Sequence, residues 1–147
     1  ILDGDWSSDV CSSDLLQTLP FLTQDDYDNL LWACDINFVR GEDSWVRGLW
    51  AAKPMVWQPY RQEQDTHLSK LQAFLEFYTA GLSVRAAEGL HHVYTSWSCG
   101  QFEKTNWQAL LDNLPALQNR ATLQSRKLAL LPDLAAKLVI FCENFSK

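Results

Sequence analysis

The residues of this chain best suited to chemistry stand in one run, Arg40-Gly41-Glu42-Asp43-Ser44. It follows Ile36-Asn37-Phe38-Val39, which reads as a short strand, and precedes Trp45, Val46, Leu49, Trp50 and Ala51 at helical spacing. Ligands of open α/β sheets bind outside the carboxyl ends of the strands, where such a turn lies. A helix beginning near Asp43 offers unpaired backbone N–H groups and the positive end of its dipole, both favourable to a phosphate. Arg40 adds a fixed cation whose planar fork matches phosphate oxygens, and Gly41 allows close backbone approach. Glu42 and Asp43 would repel an anion at which they pointed. In a functional site they therefore face the hydroxyls of a ribose or sugar, while Arg40 and the amides hold a diphosphate. Taken alone, the five residues are more simply read as an ordinary β–α turn, with Asp43 or Ser44 capping the helix.

Other candidates carry less. Tyr27 can stack on a nucleobase, although an aromatic at helical spacing is more often part of a core. His91-His92 has no acid or cysteine at ligand spacing and reads as a helix-surface pair, not a metal site. His67 is expected to be solvated, and Lys70, Arg85 and Glu88 to form an exposed face. There is no Ser-His-Asp ordering, phosphate-binding lysine loop or GxGxxG.

The elements that must position these residues follow from periodicity. Thr23 precedes a helical stretch from Gln24 to Cys34, acidic in its first turn at Asp25 and Asp26 and apolar at Tyr27, Leu30, Leu31 and Cys34. Strand, turn and helix then lead through Lys53-Pro54 to a second strand, Met55-Val56-Trp57-Gln58, completing a β–α–β unit with parallel strands. Helices are predicted from His67 to Tyr78, from Ser83 to about Ser98 and from Trp107 to Leu114. A last helical segment, about Ala121 to Phe145, is divided at Pro132. Two strands do not complete a doubly wound sheet, so the missing strands are expected upstream.

The chain has 147 residues, 47% of them hydrophobic, enough for one domain with a real core. Its net charge of −6 argues against nucleic-acid binding, and no apolar run reaches the roughly 18–20 residues of a membrane span. Residues 5–15, DWSSDVCSSDL, resemble a translated sequencing-library adaptor, so residues 1–15 are read as an artefactual leader and set apart from the fold. The absence of an initiator Met fits a fragment of an open reading frame. Without the leader, 14 acids face 12 bases, a net charge of −2. Cys34, Cys99 and Cys142 remain, too scattered for a disulfide frame or zinc site and suited to buried thiols in the cytoplasm.

The ordered block from Leu19 to Gln58, with TQDDYDNLLWACDINFVRGEDS at its centre, resembles one bacterial family, the EarP-type protein-arginine rhamnosyltransferases that modify translation elongation factor P. The likeness extends over residues 16–147 and corresponds to the C-terminal portion of such an enzyme. It implies a helix-rich α/β fold, the incomplete Rossmann-like C-terminal domain of a GT-B glycosyltransferase, which binds the nucleotide sugar. The donor it implies is dTDP-β-L-rhamnose, passed with inversion to an arginine of elongation factor P, with no cofactor or metal. Carried over by position, Gln24 lies beside the thymine and Tyr27 stacks on it; Phe is usual in the family, and Tyr keeps the ring. Arg40, Asp43 and Ser44 surround the diphosphate and ribose, and Glu42 is needed for activity. The resemblance puts the aspartate base in an N-terminal domain absent here, so the chain alone is expected to be inactive. Two other readings stay open: the donor-binding half of a different GT-B enzyme, and a non-catalytic helical interaction module.

Overall fold

The structure, a computed structural model, describes residues 17–101 and 104–145, so the proposed leader lies outside the described residues. Helix α1 (Gln24–Ala33) is capped by Thr23, whose Oγ1 accepts the Asp26 N–H at 3.2 Å, with Asp25 and Asp26 in the first turn. Strand β1 (Asn37–Arg40) follows, then α2 (Glu42–Trp50) and β2 (Met55–Gln58). The strands pair in parallel, Asn37 opposite Met55 and Arg40 opposite Gln58, so the β–α–β expectation holds. A short 3₁₀ turn (Glu63–Asp65) leads to α3 (Thr66–Thr79), α4 (Val84–Ser98), α5 (Lys104–Asp112), α6 (Leu114–Ala129) and α7 (Leu134–Phe145). The fold is a helix-rich α/β assembly on a small parallel sheet.

Met55, Val56 and Trp57 are consecutive and all buried, as expected of a strand covered on both faces. They share one core with Leu71, Phe74, Leu75 and Tyr78 of α3 and Leu90, Val93 and Tyr94 of α4. Trp45 of α2 stacks on Trp57 with ring centroids 4.9 Å apart, and Phe74 meets both edge-on. Gly48 lets α2 lie close to the sheet, since a Cβ there would stand 2.8 Å from Met55 Sδ. The outer edge of β2 is closed by two tyrosines. The Met55 N–H donates to Tyr78 Oη at 3.3 Å, and Tyr94 Oη donates to the Met55 carbonyl. Burial pushes the Tyr78 phenol up to about 12 and Tyr94 well above its usual value. Helix α6 is fastened across the end of α3, with Arg120 Nε donating to Tyr78 O at 3.0 Å and Gln124 Nε2 to Phe77 O at 2.9 Å.

Several expectations need correcting. The cap of α2 is Gly41, with no side-chain hydrogen bond, so neither Asp43 nor Ser44 caps. Both lie inside the helix, two and three residues past the cap position. The predicted helix from Trp107 to Leu114 is instead the end of α5 and the start of α6, because Asn113 and Pro115 mark a helix start. The break near Pro132 is observed, but the preceding helix begins at Leu114 rather than near Ala121. His67 is buried, its Nδ1 accepting the Gln62 N–H at 3.4 Å, because the 3₁₀ turn folds over it. The thiols are not buried: Cys34 is half-buried, and Cys99 and Cys142 are exposed. Among the described residues no helix is long and apolar enough to cross a membrane.

Candidate functional site

The carboxyl end of the sheet is built around Gly41. Its φ of 82° suits a residue without Cβ, and its N–H donates to Gln58 O at 3.1 Å, carrying the β-ladder one step past β1. Its carbonyl accepts the Trp57 indole N–H at 2.8 Å. Both backbone groups of the turn are thereby fixed, and the chain enters α2 with no side-chain cap. The amides of the first turn, Glu42 to Ser44, are left pointing out of the helix end, where an anion gains from donors and dipole together. The Arg40 guanidinium lies 5.4 Å from the centre of the Tyr60 ring, a cation–π contact that holds the cation beside this end.

Next to the turn is a cavity of about 650 Å³. Helix α1 contributes Gln24, Tyr27 and Leu30, helix α2 contributes Asp43, Ser44 and Arg47, and the segment Leu19–Thr23 forms a further wall. Four of the six predicted site residues thus share one cavity, namely Gln24, Tyr27, Asp43 and Ser44. Arg40, the last residue of β1, lies outside its lining. Glu42 lines a separate, largely apolar cavity of about 680 Å³ with Trp45, Trp57 and Phe74, and its Oε1 accepts from Lys70 Nζ at 3.2 Å. Tyr27 is half-buried and packs against the core while it also lines the cavity.

Arg47 carries the strongest electrostatic signature near the site. Hydrogen bonds to Asp28 and then to Asp43 raise its pKa further above the usual arginine value. His91 and His92 lie on α4, half-buried and exposed respectively. Among the described residues no group of three or more His, Cys, Asp or Glu is placed to hold a metal ion.

The family described as elongation-factor P (EF-P) rhamnosyltransferase EarP matches residues 8–143. The chain belongs to the EarP family. A protein-arginine rhamnosyltransferase of Pseudomonas aeruginosa is 49% identical over 126 residues, 86% of this chain and 34% of that protein. Its counterpart in Pseudomonas putida is 45% identical over 129 residues, 88% of this chain and 34% of that protein. A solved chain from a study of the structural basis for EarP-mediated arginine glycosylation of translation elongation factor EF-P has a TM-score of 0.76 and 44% identity, covering 87% of this chain and 40% of that one. The chain spans about a third of the length of the curated relatives it matches. All six predicted site residues fall inside the EarP match.

Sequence reasoning missed three neighbours of the candidate residues in this EarP-family chain. Tyr60 is brought over Arg40 by the strand register, and the signal for it was an aromatic just past Pro59 at the end of β2. Lys70, read as part of a solvated face, is exposed but pairs with Glu42 from a different helix. Arg47 stands four residues beyond Asp43, a spacing that places the two on one helix face.

Proposed function

We propose that this chain is the donor-holding part of a glycosyltransferase that moves L-rhamnose from dTDP-β-L-rhamnose to an arginine of elongation factor P, with inversion at the sugar. On this reading the chain is an incomplete Rossmann-like C-terminal domain of GT-B type in a cytoplasmic enzyme. The observation that carries it is the meeting of Gln24, Tyr27, Asp43 and Ser44 in one cavity at the carboxyl end of a parallel β–α–β unit. The EarP membership and the relatives' names support the reaction class.

The chemistry assigns each residue a task. Tyr27 offers a ring face to the thymine and Gln24 an amide able to pair with its edge. Arg40 and the first-turn amides of α2 take the diphosphate, with Tyr60 keeping the guanidinium in place. Asp43 and Ser44 serve the ribose and the nearer phosphate oxygens. A guanidine nitrogen of the acceptor attacks the anomeric carbon of the sugar, the bond from that carbon to the diphosphate oxygen breaks, and the electron pair leaves with dTDP. Arg40 and the helix end lower the cost of the charge gathering there. The acceptor guanidinium is protonated at physiological pH and is a poor nucleophile until carboxylates polarise it and a base removes a proton. Glu42, exposed and outside the nucleotide cavity, is the carboxylate this chain supplies to that step. No cofactor or metal takes part.

The test is a full-length enzyme carrying this segment, incubated with dTDP-β-L-rhamnose and elongation factor P, with the acceptor followed by mass spectrometry. One deoxyhexosyl unit added to an arginine supports the proposal. Transfer from a UDP or GDP sugar instead moves the assignment to another GT-B enzyme. Full cellular function retained by both Arg40→Ala and Glu42→Ala, with no nucleotide binding, returns the chain to a non-catalytic interaction module.

A further inference from the structure

We propose that Arg47 is a positioning residue of the donor site, fixing the Asp43 carboxylate and locking α1 against α2. The inference deepens the donor-binding reading above and rests on it. Arg47 Nε donates to Asp43 Oδ2 at 3.1 Å, one turn back on the same helix. Its Nη1 donates to Asp28 Oδ2 at 2.8 Å, across to α1 and one residue past Tyr27. A single guanidinium therefore joins the helix carrying Gln24 and Tyr27 to the helix carrying Asp43 and Ser44. Only arginine suits this place, because its rigid fork reaches two carboxylates at once and its charge is permanent.

Asp43 explains why such a clamp is needed. Its side chain is 80% exposed, in the first turn of a helix whose open amides and dipole favour an anion. Left to itself, the carboxylate would occupy the phosphate's place or repel the phosphate from it. With Oδ2 engaged by Arg47, the group keeps Oδ1 for a hydroxyl, and its charge is offset from the flank. Asp43 and Arg47 line both the cavity of about 650 Å³ and a neighbouring one of about 320 Å³ that Trp32 and Trp50 border. The bridge thus stands between the two. Removing Arg47 leaves Asp28 and Asp43 as like charges with no cation between them and lets the two walls of the nucleotide cavity part.

The experiment is a double-mutant cycle in a full-length enzyme carrying this segment, with dTDP binding measured by calorimetry for wild type, Arg47→Met, Asp43→Ala and the pair. If Arg47 acts through Asp43, each single change raises Kd by about tenfold and the double variant is no worse than the poorer single one, since coupled residues do not add. The binding stoichiometry stays at one, whereas a merely structural role would lower the competent fraction. Arg47→Lys, whose ammonium can hold one carboxylate but not both, recovers part of the loss and enters the same cycle if Arg47→Met does not fold. Additive losses, or an unchanged Kd, overturn the assignment of Arg47 while leaving the donor reading in place. A wild type that binds UDP as well as dTDP, or neither, overturns both.

Discussion

At the scale of single residues, the proposed function divides Glu42 from its neighbours, giving it the chemistry and them the binding. Glu42 lies outside the cavity lined by Gln24 and Tyr27 and pairs with Lys70, an ion pair exposed on both sides. Such pairs contribute about 0–1 kcal/mol, so Lys70→Met should shift stability by less than about 1 kcal/mol in urea unfolding. Glu42→Gln keeps the shape and removes the charge. In a full-length enzyme it should lower kcat by roughly 10²–10³-fold with dTDP affinity nearly unchanged, as expected of a group that acts mainly in the transition state. A parallel loss of dTDP affinity would instead place Glu42 on the nucleotide. The difference between contiguous and assembled sites explains what was legible here. Arg40 to Ser44 adjoin one another in the chain, and the β–α pattern around them gives their place at a strand end. The Tyr60–Arg40 contact and the Arg47–Asp28 bridge depend on strand register and helix facing, which no local spacing states.

At the scale of elements, β2 is held by its neighbours' side chains as much as by β1. Tyr78 and Tyr94, from two different helices, bond the backbone of Met55 from the side opposite β1. The helical periodicity of both helices was readable, but their phenols' use as a strand edge was not, because it depends on where the helix ends fall. A chemical consequence follows for alkaline stability. Tyr78 ionises near 10 in the unfolded chain and is pushed up to about 12 by burial in the fold. The stability this gives is complete below pH 10 and is lost as the pH rises from 10 through about 12, where the unfolded state sheds its proton first. Tyr78→Phe should therefore cost about 1–3 kcal/mol at pH 8, by leaving the Met55 N–H without its acceptor. It should also flatten the fall above pH 10 by about 1.4 kcal/mol per pH unit. Urea midpoints at pH 8, 10 and 11 for both proteins check the two effects. Parallel curves would mean that Tyr78 does not control the alkaline limb. The same scale shows where turn chemistry misled: Asp43 and Ser44 are good caps by type, yet Gly41 takes the cap position because the ladder bond to Gln58 carries the extended chain to it.

At the scale of the whole molecule, apolar surface is unevenly shared. The core around β2 is closed, whereas α7 contributes no buried residue. Leu134, Leu138, Val139, Ile140, Phe141 and Phe145 are each more than half exposed on that one helix. Its sequence carried a helical period that could be read as a core face; which surface meets the face is a matter of tertiary structure, and among the described residues none buries it. Contiguous apolar area of this kind drives association in water. The 147-residue chain should therefore self-associate as its concentration rises, and replacing Leu138, Phe141 and Phe145 together by Gln should return it towards monomer in sedimentation velocity. Because these side chains lie outside the core, the triple change should move the melting temperature by less than about 2–3 °C, as surface substitutions do. A large fall in melting temperature would instead mean that α7 packs on the chain in solution and belongs to its core. Unchanged association would move the adhesive surface elsewhere, to the next exposed aromatics at Trp32 and Trp50 beside the Arg47 bridge.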